Sequence, residues 1–516
     1  MEFSTQSVKL IVLDINSGAV IYAYSFDYDS TFPRYRTSGG VLPSENPEIR
    51  HTSPFMIIEA LDHAFTRLKT DGIDLSRIGA IKTDGMQHCT VYTNSFFRKK
   101  VGALDPEVTL ISQLESSISR KTSPLWEDRS PVREVKYLTE SLREYGGIAA
   151  ITGNRAELRF PASQILKWAT ESPEEYEQTS VILLLSAFIT SILAGTVAPV
   201  DTGDGWGTNL NNLDIDTPGW SSEVLTVTER YLKKKGLKSS LKSKIGALDH
   251  YDACAGTVSR YFVRKYDLNP EALVLSGTGD NPATLLGCGG SCVISLGSSY
   301  TVNGIMKEIR PSETGEYNVF GYTKGSAMAL SVITNGGKVH YHFRHRYTPT
   351  LDWESYTRAA GDPLLNEDEK IMLPCLLDES VPLLRRGIIR DGFDEDDPET
   401  NIRALHLSQV LSLKLHAGHL SAVDEICIVG GGSRNRFLRQ LIADVFHART
   451  FTIQNADFAA PLGCALSGAR ALLGLSYEET VSTFVQREIS SYLEPKQNGI
   501  IIENLLQRYA QLEKDT

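Results

Sequence analysis

Near the start of the chain, two mainly apolar runs have the length and composition of strands. They cover residues 8–14 and 19–26, and the Asn-Ser-Gly sequence at residues 16–18 is typical of a turn between paired strands. A strand-turn-strand unit is therefore predicted here.

The pattern then changes to the spacing of a helix. Ser53 is a favoured helix N-cap, and Pro54 suits the first helical position because that N–H would be unpaired anyway. Apolar residues follow on one face, at Ile57, Leu61, Phe65 and Leu68. The spacing predicts a helix, and residues 78–81 after it are predicted to form a short strand.

Units of strand, glycine-containing turn and helix recur in the rest of the chain. Strands are predicted at residues 272–275, 292–296, 426–429 and 450–453, and helices from 436 to 447 and from 459 to 473. This alternation predicts an α/β protein with mainly parallel sheets.

One uncharged run, residues 181–200, is long enough to cross a bilayer. It contains hydroxyl residues at Ser186, Thr190, Ser191 and Thr196, and its flanks lack the usual basic and aromatic membrane anchors. We therefore expect a helix buried inside a globular protein, without membrane contact.

A length of 516 residues is too great for one hydrophobic core, so at least two domains are expected. The content of 41% hydrophobic and 22% charged residues is typical of a chain that folds throughout. The net charge of -11 argues against a nucleic-acid surface, because such a surface is basic. It does not exclude a nucleotide, since backbone amides can hold phosphate in an acidic protein.

The cysteines lack the spacing of a zinc site; they are Cys89, Cys254, Cys288, Cys292, Cys375, Cys427 and Cys464. Free thiols fit a reducing compartment. Residues 1–6 have neither the basic start nor the apolar run of a secretion signal. The sequence thus predicts a cytoplasmic protein and leaves its oligomeric state undefined.

The clearest indication of a nucleotide site is Gly-Gly-Gly-Ser-Arg-Asn at residues 430–435, between a predicted strand and a predicted helix. Glycines allow a ligand to approach the backbone, and a helix start attracts phosphate. A tight turn without a ligand would show the same pattern. Neither a P-loop nor a complete dinucleotide fingerprint is present, which disfavours a Rossmann-type oxidoreductase.

Polar residues elsewhere are further candidates. Asp280 follows a predicted strand, where a carboxylate can act as a general base or simply cap the next helix. Gly297 and Ser298 could offer amide and hydroxyl groups to phosphate, or form an ordinary turn. Arg159 could bind sugar oxygens or an acid, although most lone arginines are solvated. His88 follows a predicted strand and a glycine turn, where a lone histidine is more often structural than functional.

Taken in order, these segments resemble the FGGY carbohydrate kinases and, within them, the xylulose kinases of eukaryotes. The resemblance extends over nearly the whole chain. It is carried by residues 3–9, 87–88, 152–156, 159–160, 198–201, 204–205, 278–283, 294–299, 335–337, 430–435 and 443–446. Gly-Asp-Asn-Pro-Ala at residues 279–283, with Gln-His at 87–88, is fairly specific to the xylulose branch.

The resemblance implies an α/β fold of two ribonuclease-H-like domains, of the actin and hexokinase type, which flank a central cleft. It places a sugar-binding domain in residues 1–287 and a nucleotide-binding domain in residues 288–516. It implies an enzyme that uses ATP and Mg²⁺ to phosphorylate a ketopentose, with D-xylulose preferred over alternatives such as D-ribulose or a polyol.

The same resemblance implies roles for individual residues. Asp280 would be the general base. The ketose would be held by His88, Arg159, Asp280 and Asn281. ATP would contact Gly431, Gly432, Asn435, Trp353, Gly297, Ser298 and Thr5. No residue is assigned directly to a metal.

The chain departs from the family pattern at its start. Family members have an apolar strand followed by Asp-Phe-Ser-Thr-Gln, whereas here Glu2 stands at the Asp position, directly after Met1. The first strand of the first sheet is therefore expected to be missing, which would leave ladder groups unpaired. A non-catalytic sugar-binding relative is the alternative to an active kinase, and the retained Asp280 favours the kinase.

Overall fold

The computed structural model describes residues 1–323, 325–497 and 499–516. In chain order its strands are β1 (Glu2–Phe3), β2 (Ser7–Leu13), β3 (Val20–Asp27), β4 (His51–Thr52), β5 (Ala80–Ile81), β6 (Asp84–Gly85), β7 (Thr90–Asn94), β8 (Ser123–Pro124), β9 (Thr179–Leu184), β10 (Val200–Asp201), β11 (Leu248–Asp249), β12 (Cys254–Thr257), β13 (Leu273–Leu275), β14 (Thr278–Gly279), β15 (Cys292–Leu296), β16 (Tyr300–Ile305), β17 (Asn318–Gly321), β18 (Ala327–Ile333), β19 (Met372–Cys375), β20 (Gly387–Arg390), β21 (Glu425–Val429) and β22 (Arg449–Phe451).

Its α-helices are α1 (Tyr28–Thr31), α2 (Pro54–Thr70), α3 (Phe96–Val101), α4 (Leu110–Leu114), α5 (Val132–Ser141), α6 (Ile148–Thr152), α7 (Pro161–Glu171), α8 (Pro173–Gln178), α9 (Leu185–Ala194), α10 (Thr202–Gly205), α11 (Ser222–Lys234), α12 (Arg260–Tyr266), α13 (Asp280–Gly287), α14 (Gly337–Tyr347), α15 (Trp353–Arg358), α16 (Pro398–Leu415), α17 (Arg436–Phe446), α18 (Ala459–Leu473), α19 (Tyr477–Phe484) and α20 (Gly499–Lys514).

The strand-turn-strand unit predicted near the start is present. β2 and β3 pair antiparallel, with Val8 opposite Phe26. The predicted helix follows as α2, whose start is capped because the Ser53 hydroxyl accepts a hydrogen bond from the Met56 N–H at 3.4 Å. The sequence pattern therefore predicts this part of the fold correctly.

Two sheets occupy the first half of the chain. One has the strand order β14-β6-β1-β2-β3, and the other has the order β12-β13-β5. β1 is only two residues long, with Glu2 opposite Lys9 of β2 on one side and Asp84 of β6 on the other. β1 consists of Glu2 and Phe3, which come after the apolar strand of the family pattern, so it is not the strand that the sequence led us to expect to be missing.

The second half is built on a six-stranded sheet with the order β17-β18-β16-β15-β21-β22. β15, β21 and β22 are parallel, whereas β15–β16, β16–β18 and β17–β18 are antiparallel. The prediction of mainly parallel sheets is wrong here. A turn as short as residues 297–299 can join only antiparallel strands, and the sequence pattern did not identify the partner strand β16.

The uncharged run at residues 181–200 is buried as expected, but it is not one helix. Its first part belongs to β9, which pairs antiparallel with β7, and the chain then enters the buried helix α9. Among the described residues no single helix is long and apolar enough to cross a membrane. Ala456–Leu473 and Tyr477–Phe484 pass that test only as a pair bent by 117°.

Helices α13 and α18 approach so closely that only glycine fits between them. A Cβ at Gly287 would lie 1.9 Å from the carbonyl oxygen of Ala459, and one at Gly463 would lie 1.9 Å from that of Ala283. This contact fixes α13, the helix whose first residue is Asp280.

Candidate active site

Asp280 stands where strand β14 ends and helix α13 begins. β14 pairs parallel with β6, so Gly279 lies opposite Gly85 and the carboxylate projects at the carboxyl edge of both strands. Desolvation by the surrounding protein, reinforced by the negative charge of Glu2, raises the pKa of Asp280 to about 7. A carboxylate with this pKa is suited to accept a proton near neutral pH.

Asn281 is held beside Asp280 by a short network. Its Nδ2 donates to Oε1 of Gln87 at 2.6 Å and to Oδ1 of Asp280 at 2.9 Å. Gln87 is itself fixed, because its Nε2 donates to the carbonyl of Gly203 at 3.0 Å. A Cβ at Gly279 would lie 2.4 Å from the Gln87 side chain, which explains the glycine before the carboxylate.

His88 adopts a positive φ of 69° and is buried. Its ring stacks on Phe160 at 4.4 Å, and its Nδ1 lies 2.7 Å from the carbonyl oxygen of Gly207. Burial, together with the positive charge of Arg159, lowers the pKa of His88 to about 3. The imidazole is therefore neutral, Nδ1 carries the proton that the carbonyl accepts, and Nε2 is left as a hydrogen-bond acceptor.

Arg159 links the two halves of the chain. Its Nη2 donates to Oδ1 of Asn318 on β17 at 2.6 Å. Its Nε is buried and has no hydrogen-bond partner in the described part of the chain. A buried guanidinium N–H without a partner is costly, so Arg159 is prepared to donate to a ligand oxygen.

Acidic residues surround the carboxylate of Asp280. Burial, followed by the charge of Glu2, raises the pKa of Asp84 well above its ordinary value. Burial also raises the pKa of Asp204 well above its ordinary value, and the Ser186 hydroxyl donates to its Oδ2 at 2.5 Å. Within the described residues, one carboxylate oxygen each of Asp84 and Asp204 is buried without a hydrogen-bond partner.

Thr5 lies in the turn between β1 and β2. Its hydroxyl accepts a hydrogen bond from Nε1 of Trp126 at 3.1 Å, and the Trp126 side chain is 45% exposed. A Cβ at Gly40 would lie 1.7 Å from the Thr5 carbonyl oxygen, so the backbone of residues 39–40 fixes this turn. Trp126 is not among the residues that the sequence predicted.

The glycine loop after β21 has the form that the sequence predicts, a short turn before α17. Gly430 has φ +82°, and a Cβ there would lie 3.0 Å from the Leu296 backbone. Gly432 is similarly restricted, since its Cβ would lie 2.7 Å from that of Leu296. Gly431 is exposed, with open space where its Cβ would project. Among the three, Gly431 is thus free to face a ligand.

Asn435 and Trp353 lie on neighbouring elements. The Asn435 side chain caps α17 by accepting from the Leu438 N–H at 3.0 Å, and its Nδ2 donates to the Thr357 hydroxyl at 3.3 Å. Thr357 belongs to α15, the helix that begins with Trp353. The Arg344 guanidinium lies 4.9 Å from the Trp353 ring, which is 41% exposed. The structure therefore brings the predicted Trp353 close to the glycine loop.

Gly297 and Ser298 form the turn between β15 and β16, beside the glycine loop. Ser295 pairs with Val429, so both strands end at the same edge of the sheet. The carbonyls of Gly297 and Ser298 accept the first N–H groups of α14 at 3.0 and 3.2 Å. The predicted nucleotide residues of the second half are thus grouped at one sheet edge.

The predicted sugar residues form a second group. Gln87, which is hydrogen-bonded to Asn281, directly precedes His88 in the chain. The positive charge of Arg159 in turn lowers the pKa of His88. Asn318 was missed by the sequence analysis, and no local signal could have identified it because it lies 159 residues from Arg159. Asp84 was also missed, although its position after an apolar strand was a detectable signal.

Comparison with known proteins gives consistent results. The family model described as the FGGY family of carbohydrate kinases, C-terminal domain, matches residues 292–472. Xylulose kinase 2 of Arabidopsis thaliana is 31% identical over 494 residues, which cover 91% of this chain and 86% of that protein. Xylulose kinase of Mus musculus is 28% identical over 534 residues, which cover 99% and 93%.

A solved structure of similar fold is the ligand-bound xylulose kinase from Lactobacillus acidophilus. It superposes with a TM-score of 0.79 at 18% identity, over 100% of this chain and 97% of the other. The expected fold of two domains of the actin and hexokinase type is thereby confirmed. The sequence identity over nearly the full length, together with the matching family model and fold, shows that this chain belongs to the FGGY family of carbohydrate kinases.

Proposed function

We propose that this kinase transfers the γ-phosphoryl group of ATP to the 5-hydroxyl of D-xylulose, giving D-xylulose 5-phosphate and ADP. The observation that carries the proposal is the Asp280 carboxylate, whose pKa of about 7 suits a general base, beside the polar groups of His88, Asn281 and Arg159. The substrate choice is supported by the names of the two relatives above.

The sugar residues have complementary hydrogen-bonding roles. Nε2 of the neutral His88 can accept from a sugar hydroxyl, whereas the free Nε of Arg159 can donate to a sugar oxygen. Asp280 takes the proton of the attacking sugar hydroxyl. As it does so, the hydroxyl oxygen forms the new bond to the γ-phosphorus, and ADP leaves with the electron pair of the broken P–O bond. Asn281 keeps the carboxylate oriented through its bond to Oδ1.

On the nucleotide side we assign Gly431, Gly432, Asn435 and Trp353 to the adenosine part of ATP. Gly297, Ser298 and Thr5 are assigned to the phosphates. The open space above Gly431 and the exposed face of Trp353 support these roles. Accordingly, residues 1–287 would carry most of the sugar site and residues 288–516 most of the nucleotide site. Asn318 of the second part contacts the sugar site by accepting a hydrogen bond from Arg159.

Mg²⁺ fits the acidic side of this site. It usually binds proteins through one or two carboxylates and otherwise through water and phosphate oxygens. The buried oxygen of Asp84 that lacks a partner among the described residues is a suitable ligand. When bound with ATP, the ion neutralises charge on the phosphates.

All seven cysteines are free thiols, in agreement with a cytoplasmic location, which we also propose.

The test is a coupled ADP-release assay over D-xylulose, D-ribulose, glycerol and aldopentoses, with a sugar-free reaction as the ATPase background. A site that hydrogen-bonds particular hydroxyls rejects analogues that lack them, so D-xylulose should give the highest kcat/KM. Phosphorus NMR of the product should show a single 5-phosphate. A higher kcat/KM for glycerol or an aldopentose would remove the D-xylulose assignment.

A further inference from the structure

The side-chain amide of Asn435, in the proposed nucleotide site, is held from three directions. Its Oδ1 accepts a hydrogen bond from the Leu438 N–H at 3.0 Å, which caps α17. Its Nδ2 lies 3.3 Å from the Thr357 hydroxyl and 3.3 Å from Nε2 of His406. These three neighbours belong to α17, α15 and α16, so one amide joins three helices.

The capping bond determines the orientation of this amide. A backbone N–H donates only to an acceptor, so Oδ1 faces Leu438 and the NH2 group of the amide faces Thr357 and His406. If the amide were turned over, its NH2 group would meet the Leu438 N–H, donor against donor. The orientation therefore requires both Thr357 and His406 to accept a hydrogen bond.

His406 is fully buried, and its ring can act only as an acceptor at Nε2. Nδ1 lies 2.8 Å from the carbonyl oxygen of Ile402, which has no proton to donate, so Nδ1 carries the ring proton. Burial lowers the pKa of His406 to about 4, so the ring is neutral near pH 7 and Nε2 keeps its lone pair. Nε2 therefore accepts from Nδ2 of Asn435.

Thr357 is likewise restricted to accepting. Its hydroxyl donates its one proton to the carbonyl oxygen of Trp353 at 2.9 Å, within α15. Only an oxygen lone pair is then left for Nδ2 of Asn435. Both neighbours of the NH2 group thus have their own protons committed elsewhere.

A second buried chain of hydrogen bonds holds α15 in place beside this contact. The Tyr356 hydroxyl lies 3.1 Å from Nδ1 of His340, and Nε2 of His340 lies 2.7 Å from Oε1 of Gln409. Nε2 of Gln409 donates to the carbonyl oxygens of residues 335–336 at 2.7 and 3.1 Å, so its Oε1 is the acceptor. His340 then carries its proton on Nε2, and Tyr356 donates to Nδ1. The neighbouring Thr357 is therefore fixed in position.

These contacts commit both hydrogens of the Asn435 amide within the described part of the chain. One lone pair of Oδ1 remains, because a carbonyl oxygen has two and the Leu438 N–H takes one. A ligand can therefore meet this amide only with a hydrogen-bond donor. At its 6-position a purine offers a donor when it has an amino group, as in adenine, and an acceptor when it has an oxo group.

We propose that His406 and Thr357 are positioning residues that make the nucleotide site select a 6-amino purine. They hold the Asn435 amide so that only its oxygen is open to the base, where it binds a 6-amino group and repels a 6-oxo group. Neither residue needs to touch the nucleotide. The inference rests on the proposed function in one respect, the assignment of Asn435 to the adenosine part of ATP.

The test is isothermal titration calorimetry of the full chain with Mg²⁺ and either ADP or inosine 5′-diphosphate (IDP), without sugar. The base of IDP has an oxo group at the 6-position. We expect ADP to bind at least about tenfold more tightly than IDP, because a site that hydrogen-bonds one group rejects the analogue that lacks it. Purine riboside 5′-diphosphate, with only hydrogen at the 6-position, should have an intermediate affinity.

Two matched pairs of variants separate positioning from general structure. His406→Gln retains an acceptor, whereas His406→Met has the same length without one. Thr357→Ser retains the hydroxyl, whereas Thr357→Val removes it. We expect His406→Met and Thr357→Val each to lower the ratio of ADP affinity to IDP affinity by about threefold or more, as for the loss of one hydrogen bond. His406→Gln and Thr357→Ser should stay closer to the natural ratio.

The ratio distinguishes the outcomes. General damage to the site would weaken ADP and IDP together, so an unchanged ratio in folded His406→Met and Thr357→Val would overturn the proposal. Equal binding of ADP and IDP by the natural chain would also overturn it, even if His406→Met misfolds, and would leave the kinase assignment intact. If the natural chain binds neither nucleotide, the assignment of Asn435 fails and the inference fails with it. None of these results depends on D-xylulose as the substrate.

Discussion

The proposed sugar site and the proposed nucleotide site differ in how firmly their side chains are held in the protein without ligands. On the sugar side, Gln87 and His88 are only 3% and 5% exposed, and both are held by hydrogen bonds to backbone carbonyls. On the nucleotide side, Gly431 faces open space and Trp353 is 41% exposed. The residues that we assign to the sugar are already held in position, whereas those that we assign to ATP form an open surface.

This difference has a consequence for mutations. A substitution on the sugar side changes a connected network, so it should alter kcat or sugar affinity through neighbouring groups. A substitution at the exposed nucleotide loop should act locally, on ATP alone.

The largest effect is expected at Asp280. Asp280→Asn retains the size of the side chain and removes the proton acceptor, so kcat should fall by about 10²-fold or more. Sugar binding, measured by calorimetry, should be largely retained. Steady-state kinetics with D-xylulose provide the measurement, and an unchanged kcat would show that Asp280 is not the base.

Asp204 provides the matched control for that substitution. Burial raises the pKa of Asp204 well above its ordinary value, and the Ser186 hydroxyl donates to its carboxyl group, so Asp204→Asn places a side chain of similar size in the same buried position. We expect a kcat within about threefold of the natural enzyme, since the group lies outside the proton transfer. Loss of activity in this variant alone would move the base to Asp204.

A smaller effect is expected at the nucleotide loop. Gly431→Val places a branched side chain in the open space where we assign ATP, and the KM for ATP should rise roughly tenfold, about 1.4 kcal/mol, with little change in the KM for sugar. Gly418→Val is the control, because Gly418 is also exposed with open space at its Cβ but lies outside the loop. Unchanged ATP dependence in a folded Gly431→Val enzyme would mean that the loop is only a turn.

The smallest effect is expected at Asn318, the residue from the second half of the chain that contacts Arg159 of the proposed sugar site. Asn318→Ala removes the acceptor that orients Arg159 but no direct contact to the sugar, so the KM for D-xylulose should rise only several-fold. The KM for ATP should remain the same. A rise in both constants would instead indicate that β17 has shifted as a whole.

The sequence predicted those elements whose pattern is local. β15 and α18 have the predicted boundaries, because an apolar run and a helix of small residues are each defined by their own residues. The structure also places Asp280 at a strand end, as the sequence suggested. The assignment of the base itself came from the family resemblance and stays a prediction.

Features that depend on tertiary contacts could not be predicted in this way. The Arg159–Asn318 pair joins residues from distant parts of the chain. The periodicity of β16 does not reveal that this strand pairs antiparallel with β15, because a strand that precedes a helix would show the same pattern. The division of residues 181–200 between β9 and α9 is set by pairing with β7, which the uncharged run does not reveal.

The most direct test of the central claim is the pH dependence of kcat/KM for D-xylulose at saturating ATP, which reports the ionisation of the base in the enzyme–ATP complex before the sugar binds. Desolvation and the charge of Glu2 raise the pKa of Asp280 to about 7, and only the deprotonated carboxylate accepts a proton. We therefore predict that log(kcat/KM) levels off above about pH 7 and falls by about one unit per pH unit below it, and that this ionisation is absent from the residual activity of Asp280→Asn. A profile of the natural enzyme that stays flat down to pH 5, or an unchanged inflection in Asp280→Asn, would contradict the account.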